Sequence, residues 1–260
     1  EDGYGLTYGV TVSKANVFGE RSRVSLPLSW GGTRRAALEL EKNFAGGPLT
    51  RVEVGAGIQR RTNPAFDVHD ERRRAWVRLE RALGPLRLGA GGGWDRVRFG
   101  REREDLYLVS GDVTFDTRLD PGYPRTAVYL TAGLERVQFG AGHSLYRHRL
   151  EGRGYLGLIG QTVLAVRATR DGASGPQPFY LRPLLGGWSN LRGFEAGAFH
   201  GDIVSTASAE LFVPLTSPLS VGRLGVSAFV DGGVAYDHGF AFSDQTRHVG
   251  YGGSLWFTAT

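Results

Sequence analysis

Apolar and polar side chains alternate along most of this chain with a period of two residues. In residues 51–60, "RVEVGAGIQR", Val52 and Val54 share one face while Arg51 and Glu53 share the other. Successive side chains of a β-strand point to opposite faces, so this pattern predicts a strand with one apolar and one charged face. Residues 74–81 repeat the pattern, whereas a helical period appears nowhere at useful length.

The alternating segments predict an all-β protein of about 13 strands, typically 11 to 14 residues long. Strands of ordinary globular proteins average about 5–6 residues, so these are long. The predicted strands lie near 3–14, 20–32, 33–44, 49–61, 71–82, 85–98, 104–118, 125–139, 145–158, 161–171, 202–216, 220–236 and 247–260.

The two faces of these strands favour a membrane barrel over a soluble sandwich, which would also alternate. The apolar faces are smooth and aliphatic, and the polar faces carry both charges, as a hydrated lumen would. Aromatic residues near several strand ends fit an interfacial girdle. The longest apolar runs are far shorter than the roughly 20 residues that a membrane helix needs. We therefore predict a transmembrane antiparallel up-and-down β-barrel of about 12–16 strands; the girdle residues are Tyr4, Trp30, Trp94 and Phe257.

Connections of two kinds separate the predicted strands. Residues 14–21, 120–126 and 214–218 are short turns rich in Pro, Gly and Asn, and counting hairpins places them at one end of the barrel. The long loop 172–201 then lies at the opposite end, with the charged loops 63–73 and 99–105. Short periplasmic turns and long external loops are the known asymmetry of outer-membrane barrels.

The composition excludes several other functions. The 31 Lys and Arg residues are nearly balanced by 26 Asp and Glu residues and are scattered, so the net charge of +5 does not predict nucleic-acid binding. The chain has no cysteine, which excludes disulfides and cysteine-bound zinc. It also has no methionine, so we expect that it does not begin at a translation start and that a signal peptide or upstream domains were removed.

No motif in the chain predicts catalysis, a metal site or a cofactor. Residues 88–94, "LGAGGGW", lack the ending of a phosphate-binding loop and are better explained as a lumen-facing glycine stripe that lets the sheet curve or a loop approach. There is no G-x-S-x-G sequence for a serine hydrolase. His143 and His148 have no third ligand nearby. The arginine run 72–74 is predicted to lie in solvent at the base of a loop and to pair with lipopolysaccharide or with Asp70 and Glu71.

Three segments of the C-terminal half carry a family resemblance. They are "GGWSNLRGFEAG" from residue 186, "ASAELFVPL" at 207–215 and "SAFVDGGVAY" at 227–236. In this order they resemble the barrel region of the outer-membrane assembly-factor superfamily, the bacterial surface antigen type. Its members include the barrel subunit that inserts outer-membrane proteins and the two-partner secretion transporters.

The resemblance implies a specific set of site residues. In the family, a [LV]-R-G-[FY] tetrad folds back inside the barrel, and its arginine contacts an acidic residue of one strand and the aspartate of an F-x-D-x-G strand. The matching positions are Leu191, Arg192, Gly193 and Phe194 for the tetrad, and Glu210, Phe229 and Asp231 for its lumenal partners.

The local pattern agrees with this implication. Asp231 alternates with Val230 and Ala228, and Glu210 is out of phase with Leu211, so both carboxylates are predicted to face away from lipid. An arginine has five donors in a fixed fork and can engage two carboxylates at once. Composition alone would favour the alternative, in which Arg192 is a solvated residue of an external loop.

The resemblance also defines the expected domain organisation. Residues 1–260 are predicted to form a single barrel domain without periplasmic helper domains, with the loop 172–201 folding into the lumen. By the resemblance to a 16-strand family barrel, the chain is expected to lack one strand at the front and two after Thr260. The expectation is therefore either an incomplete barrel or a compact relative with 12 or 14 strands.

The resemblance implies a non-enzymatic protein of the bacterial outer membrane that inserts outer-membrane proteins or translocates polypeptides. Its implied mechanism is a lateral opening between the first and last strands, whose unpaired edges template incoming strands. The implied partners are outer-membrane lipid and lipopolysaccharide, client polypeptides, and periplasmic helper domains or accessory lipoproteins. Two alternatives stay open: the membrane anchor of a fused patatin-like lipase, and a passive pore.

Overall fold

The computed structural model describes residues 3–216 and 222–259, and nearly all of its regular structure is β-strand. Each long strand lies within a few residues of a predicted one, which confirms the period-two analysis. The long strands are β1 Thr7–Ala15, β2 Ser22–Gly31, β3 Thr33–Asn43, β4 Arg51–Asn63, β5 Val68–Leu83, β6 Leu86–Phe99, β7 Glu102–Asp116, β8 Ala127–Phe139, β9 Ser144–Gly157, β10 Val163–Ala173, β13 Ile203–Thr216, β14 Gly222–Tyr236 and β15 His248–Ala259. Two short strands, β11 Leu184–Leu185 and β12 Phe199–His200, lie between β10 and β13.

The long strands form one 13-stranded sheet whose order follows the sequence, from β1 through β10 and then β13, β14 and β15. β11 and β12 form a separate two-stranded sheet. This up-and-down order is the one predicted. The turn predicted at 214–218 overlaps residues 217–221, which lie outside the described residues. No helix in the described part of the chain is long and apolar enough to cross a membrane.

The chain divides into two compact units, the first of which comprises residues up to Val113 with Gly133–His148 and Ala173–Leu181. Its polar faces carry ion pairs between strands. Arg78 of β5 reaches over the intervening β6 and binds Asp112 of β7 through two bonds of 2.7 and 3.0 Å. A Cβ at Gly89 of β6 would lie 2.5 Å from the Asp112 carboxylate, so the predicted glycine stripe leaves room for this crossing.

The charged loops of the first unit are shorter than predicted, because the strands continue beyond the apolar positions. β5 begins at Val68 rather than near 71, and β7 begins at Glu102 rather than near 104. Arg72 is not solvated as predicted for the run 72–74, although the predicted pairing with Asp70 is confirmed. Its side chain lies on the polar face of β5 and pairs with Asp70, which is 1% exposed, at 2.9 Å.

An apolar cluster lies on the polar side of the same strands, near the starts of β5 and β7. The first part of the long loop packs on it, and Arg72 binds the Tyr180 carbonyl of that loop at 2.7 Å. Phe179 contacts Phe66, with ring centroids 5.0 Å apart. Apolar contact and a charged hydrogen bond together hold the beginning of the loop. The buried residues of the cluster are Val97, Phe99, Leu106, Val137, Phe139, Leu145, Ala173, Tyr180 and Leu181.

The second unit comprises Thr114–Ala132, Arg149–Gly172 and the residues from Arg182 onward. Its framework is the antiparallel run β10, β13, β14 and β15. The pairing places Asp231 of β14 between Ser208 of β13 and Gly250 of β15, and it places Glu210 opposite Phe229. Paired residues of neighbouring strands share a face, so these side chains form one polar surface.

Candidate functional site

The long loop of the second unit folds back on itself before it reaches the sheet. Leu184 pairs with His200 and Leu185 with Phe199, which closes a small hairpin whose tip contains the tetrad. Asn190 stabilises this tip from inside, because its side chain accepts a bond from the Gly186 amide at 2.9 Å and donates to the Leu184 carbonyl at 2.8 Å. The tip therefore has a defined shape of its own.

Leu191 and Gly193 set the direction of the arginine between them. Leu191 is fully buried in an apolar cluster with Leu185 and Val204, and Phe194 packs against this cluster. Gly193 has a φ of 93°, a left-handed conformation that a residue with a side chain adopts only at a cost. The chain turns at this glycine immediately after the arginine, so Arg192 points from the hairpin to the sheet.

Arg192 binds two strands of the sheet through its guanidinium group. Its Nε and Nη2 donate to the two oxygens of Asp231 at 2.7 and 2.8 Å, in the bidentate arrangement that arginine and carboxylate favour. Its Nη1 donates to Glu210 at 2.6 Å. The Arg192 backbone amide adds a third bond to Asp231, at 3.0 Å.

Burial strengthens this cluster. The Arg192, Glu210 and Asp231 side chains are 15%, 14% and 3% exposed, so Arg192 is not the solvated loop residue of the alternative interpretation. The hydrogen bond to Asp231 is the main cause that raises the pKa of Arg192 above its ordinary value. The guanidinium carbon also lies 3.5 Å from the centre of the Phe229 ring, a cation–π contact.

Serine hydroxyls complete the bonding of the two carboxylates. Ser208 donates to Asp231 at 2.7 Å, and Ser227 donates to the second oxygen of Glu210. Each acid thus has a neutral donor in addition to the arginine.

The loop backbone rests directly on β15. A Cβ added at Gly250 would lie 1.9 Å from the Arg192 carbonyl oxygen, so only glycine permits this approach. Beside it, the Phe199 ring stacks on His248 of β15 at 3.7 Å between centroids. The arginine is consequently held from the side-chain end by two acids and from the backbone by a close surface contact.

The structure brings together all the residues that the resemblance implied. Arg192 contacts Glu210, Asp231 and Phe229 directly, while Leu191 and Phe194 pack the hairpin beneath it. Sequence reasoning missed several contributors, among them Ser208, Gly250 and Arg167. Ser208 and Gly250 share the polar face with Asp231, and Arg167 donates to the Ser189 carbonyl of the loop at 2.6 Å. The alternation of β10 places Arg167 on the polar face, but nothing in the sequence indicates its contact with the loop.

The arrangement is suited to holding a segment of the chain in place. Its charged groups bind one another, and each carboxylate also accepts a hydrogen bond from a serine hydroxyl. In the described residues, no group of three or more His, Cys, Asp or Glu side chains is placed to hold a metal ion. What this geometry supplies is an electrostatic attachment between one loop and strands β13 and β14.

Comparison with known families identifies the protein. The model of the Omp85 superfamily domain matches residues 3–258. The chain belongs to the Omp85 superfamily. It is therefore an outer-membrane β-barrel domain, as the alternation of its strands predicted, and its place is the bacterial outer membrane. A comparison with curated protein sequences gave no significant match.

Solved structures of Omp85 proteins have the same fold. BamA from Haemophilus ducreyi lacking POTRA domains 1–3 matches 98% of the chain with a TM-score of 0.81 at 17% identity. CdiB from Escherichia coli matches 99% with a TM-score of 0.70 at 14% identity, and CdiB from Acinetobacter baumannii 98% with 0.60 at 15%. The Omp85 chain described here spans 62%, 54% and 51% of these three proteins.

Proposed function

We propose that this Omp85 barrel inserts outer-membrane proteins or translocates polypeptides across the outer membrane, and that it is not itself an enzyme. Support comes from its membership of the superfamily and from the similarity of its fold to BamA and CdiB. The client would pair with an open strand edge of the barrel sheet or pass along its polar face. Client polypeptides are thus the proposed partners, together with periplasmic helper domains or accessory lipoproteins.

We further propose that the polar face lines the lumen and that the loop 172–201 is locked inside it by Arg192. The observation that carries this proposal is the bidentate bond from Arg192 to Asp231 together with its bond to Glu210. These bonds join one loop to two adjacent strands, so the loop both closes the channel and stiffens that part of the barrel. Release of the loop would open the channel to ions.

A folding assay in liposomes tests the proposed function. The full-length protein that contains this chain is reconstituted, a urea-unfolded small β-barrel is added, and the protease-resistant folded fraction is followed with time. We expect client folding to be at least severalfold faster than in empty liposomes. Arg192→Ala is expected to reduce this acceleration, because the barrel loses the bonds through which the loop stiffens β13 and β14. Arg149→Ala, which removes an exposed ion pair with Asp171, serves as the matched control.

Two outcomes would contradict the proposal. Ion conductance without any acceleration of client folding or any client transport would indicate a passive pore. Release of fatty acids from phospholipid by the full-length protein, again without acceleration or transport, would indicate that the barrel anchors a lipase.

A further inference from the structure

Arginines gather on the apolar face of the first unit, near the starts of β5 and β7. Arg73 of β5 lies on the same face as Ala75, Val77 and Leu79, and Arg96 of β6 lies on the same face as Trp94. Both arginines are exposed. On an Omp85 barrel the exposed apolar face meets lipid, so these side chains stand at the border of the hydrocarbon layer.

The register places cations directly opposite one another in this patch. Arg73 pairs with Arg96 across the β5–β6 ladder, and like charges at such positions destabilise a sheet. Asp105 binds Arg96 through two bonds of 2.8 and 3.0 Å, which compensates one of the two cations. Arg73 has no ion-pair partner within the described part of the chain. A site of uncompensated positive charge remains beside the apolar strip.

The neighbouring cross-strand pairs on the same face also carry more positive than negative charge. Glu71 lies between Arg60 of β4 and Arg98 of β6, at 3.4 and 3.7 Å. One carboxylate is therefore shared by two guanidinium groups, and all three side chains are more than one-third exposed. We call Arg60, Arg73, Arg96 and Arg98 the arginine patch. Its arginines outnumber the two carboxylates that contact it.

The beginning of the long loop indicates which membrane leaflet the arginine patch faces. Within the first unit, Tyr180 of this loop packs against Phe99, the last residue of β6 and the neighbour of Arg98. The arginine patch thus lies at the end of the strands from which the long connection leaves. Long connections of outer-membrane barrels are external. The patch accordingly faces the outer leaflet, whose characteristic anionic lipid is a phosphorylated glycolipid.

We propose that the arginine patch binds the phosphate groups of an outer-leaflet glycolipid of the lipid A type. The guanidinium fork matches phosphate oxygens bidentately, and a phosphate between Arg73 and Arg96 would remove their repulsion. Trp94 lies below them, with the Arg96 guanidinium 5.3 Å from its ring, where an interfacial aromatic contacts the sugar and upper acyl chains. This inference rests on the outer-membrane placement of the barrel and not on the polypeptide handling proposed above.

Lipid titration of the purified barrel in detergent tests the site, with bound lipid counted by native mass spectrometry. Arg73→Gln combined with Arg96→Gln is expected to weaken binding of bisphosphorylated lipid A by about 25-fold, because each arginine near anionic headgroups contributes roughly a factor of five. Arg81→Gln is the matched control, since Arg81 lies on the same face of β5 at its other end. We expect this control to bind as the unchanged protein does.

Three results would overturn the assignment. They are equal affinity of the double variant, equal affinity of the unchanged protein for dephosphorylated lipid A, and equal weakening by the Arg81 control. Full displacement of the lipid by millimolar inorganic phosphate would also overturn it, because the patch would then be a free-anion site. Client folding in liposomes free of lipid A is measured separately, so the failure of either proposal is distinguishable from failure of the other.

Discussion

Arg192→Ala is expected to destabilise the barrel by about 3 kcal/mol, because it leaves two buried carboxylates without their cation. Asp231, at 3% exposure, would lose two side-chain bonds, and Glu210 would lose one. For a domain of this size the loss corresponds to a fall of roughly 6–12 °C in the unfolding midpoint. The measurement is the temperature at which the compact band disappears on semi-native gels. Asp231→Ala should give a loss of the same order, since it leaves Arg192 without its bidentate partner.

Two further variants separate the ion pair from general disruption. Exchanging the charges, with Arg192→Asp and Asp231→Arg together, is expected to restore part of the lost stability. Arg149→Ala removes a pair whose arginine is 70% exposed, so its cost should stay below about 1 kcal/mol. If Arg192→Ala and Asp231→Ala both keep full heat resistance and full activity, the proposed lock is wrong.

Gly250→Ala is expected to lift the loop from β15 although it changes no charged group. The new Cβ would lie 1.9 Å from the Arg192 carbonyl oxygen, and a backbone oxygen cannot rotate aside. We expect a loss of about 2 kcal/mol, within the range for overpacked sites. Two readouts report the released loop: faster trypsin cleavage after Arg192, and higher single-channel conductance in planar bilayers.

Gly232→Ala provides the matched control for this substitution. Gly232 lies next to Asp231 in β14, but an added Cβ would have its nearest neighbour 4.0 Å away, at the Ala207 carbonyl. Its cleavage and conductance should be unchanged. Combining Gly250→Ala with Arg192→Ala should lower the free energy of unfolding by less than the sum of the two single losses, since both substitutions release the same attachment of the loop. Full additivity would mean that the Gly250 contact and the ion pair act independently.

The resemblance identified the site because its residues lie in short segments with a fixed order. The period of two independently placed Glu210 and Asp231 on the polar faces of their strands. Neither signal extends to Arg167 or Gly250. Both belong to strands of ordinary appearance, and their contacts with the loop join residues far apart in the sequence.

The burial of Arg72 was not predicted from the sequence. A run of three arginines beside acidic residues has the composition of a solvated loop, and the pattern gave no sign that β5 begins at Val68. Because β5 includes these residues, alternation places Arg72 on the polar face, where it binds Asp70 and the Tyr180 carbonyl. The same alternation places Arg73 on the apolar face. The strand boundary, rather than the residue type, therefore determines the environment of each arginine.

Side-chain alternation was sufficient to predict the strands and the two faces of the sheet, because each strand carries this information in its own residues. The pairing register across strands and the path of the loop were accessible only in three dimensions. Arg78 binds Asp112 two strands away by passing over Gly89, and the Arg192 backbone packs against Gly250. Both contacts form because the assembled sheet brings these positions within contact distance. Such contacts depend on the relative shift of neighbouring strands, a quantity that no single segment of the chain encodes.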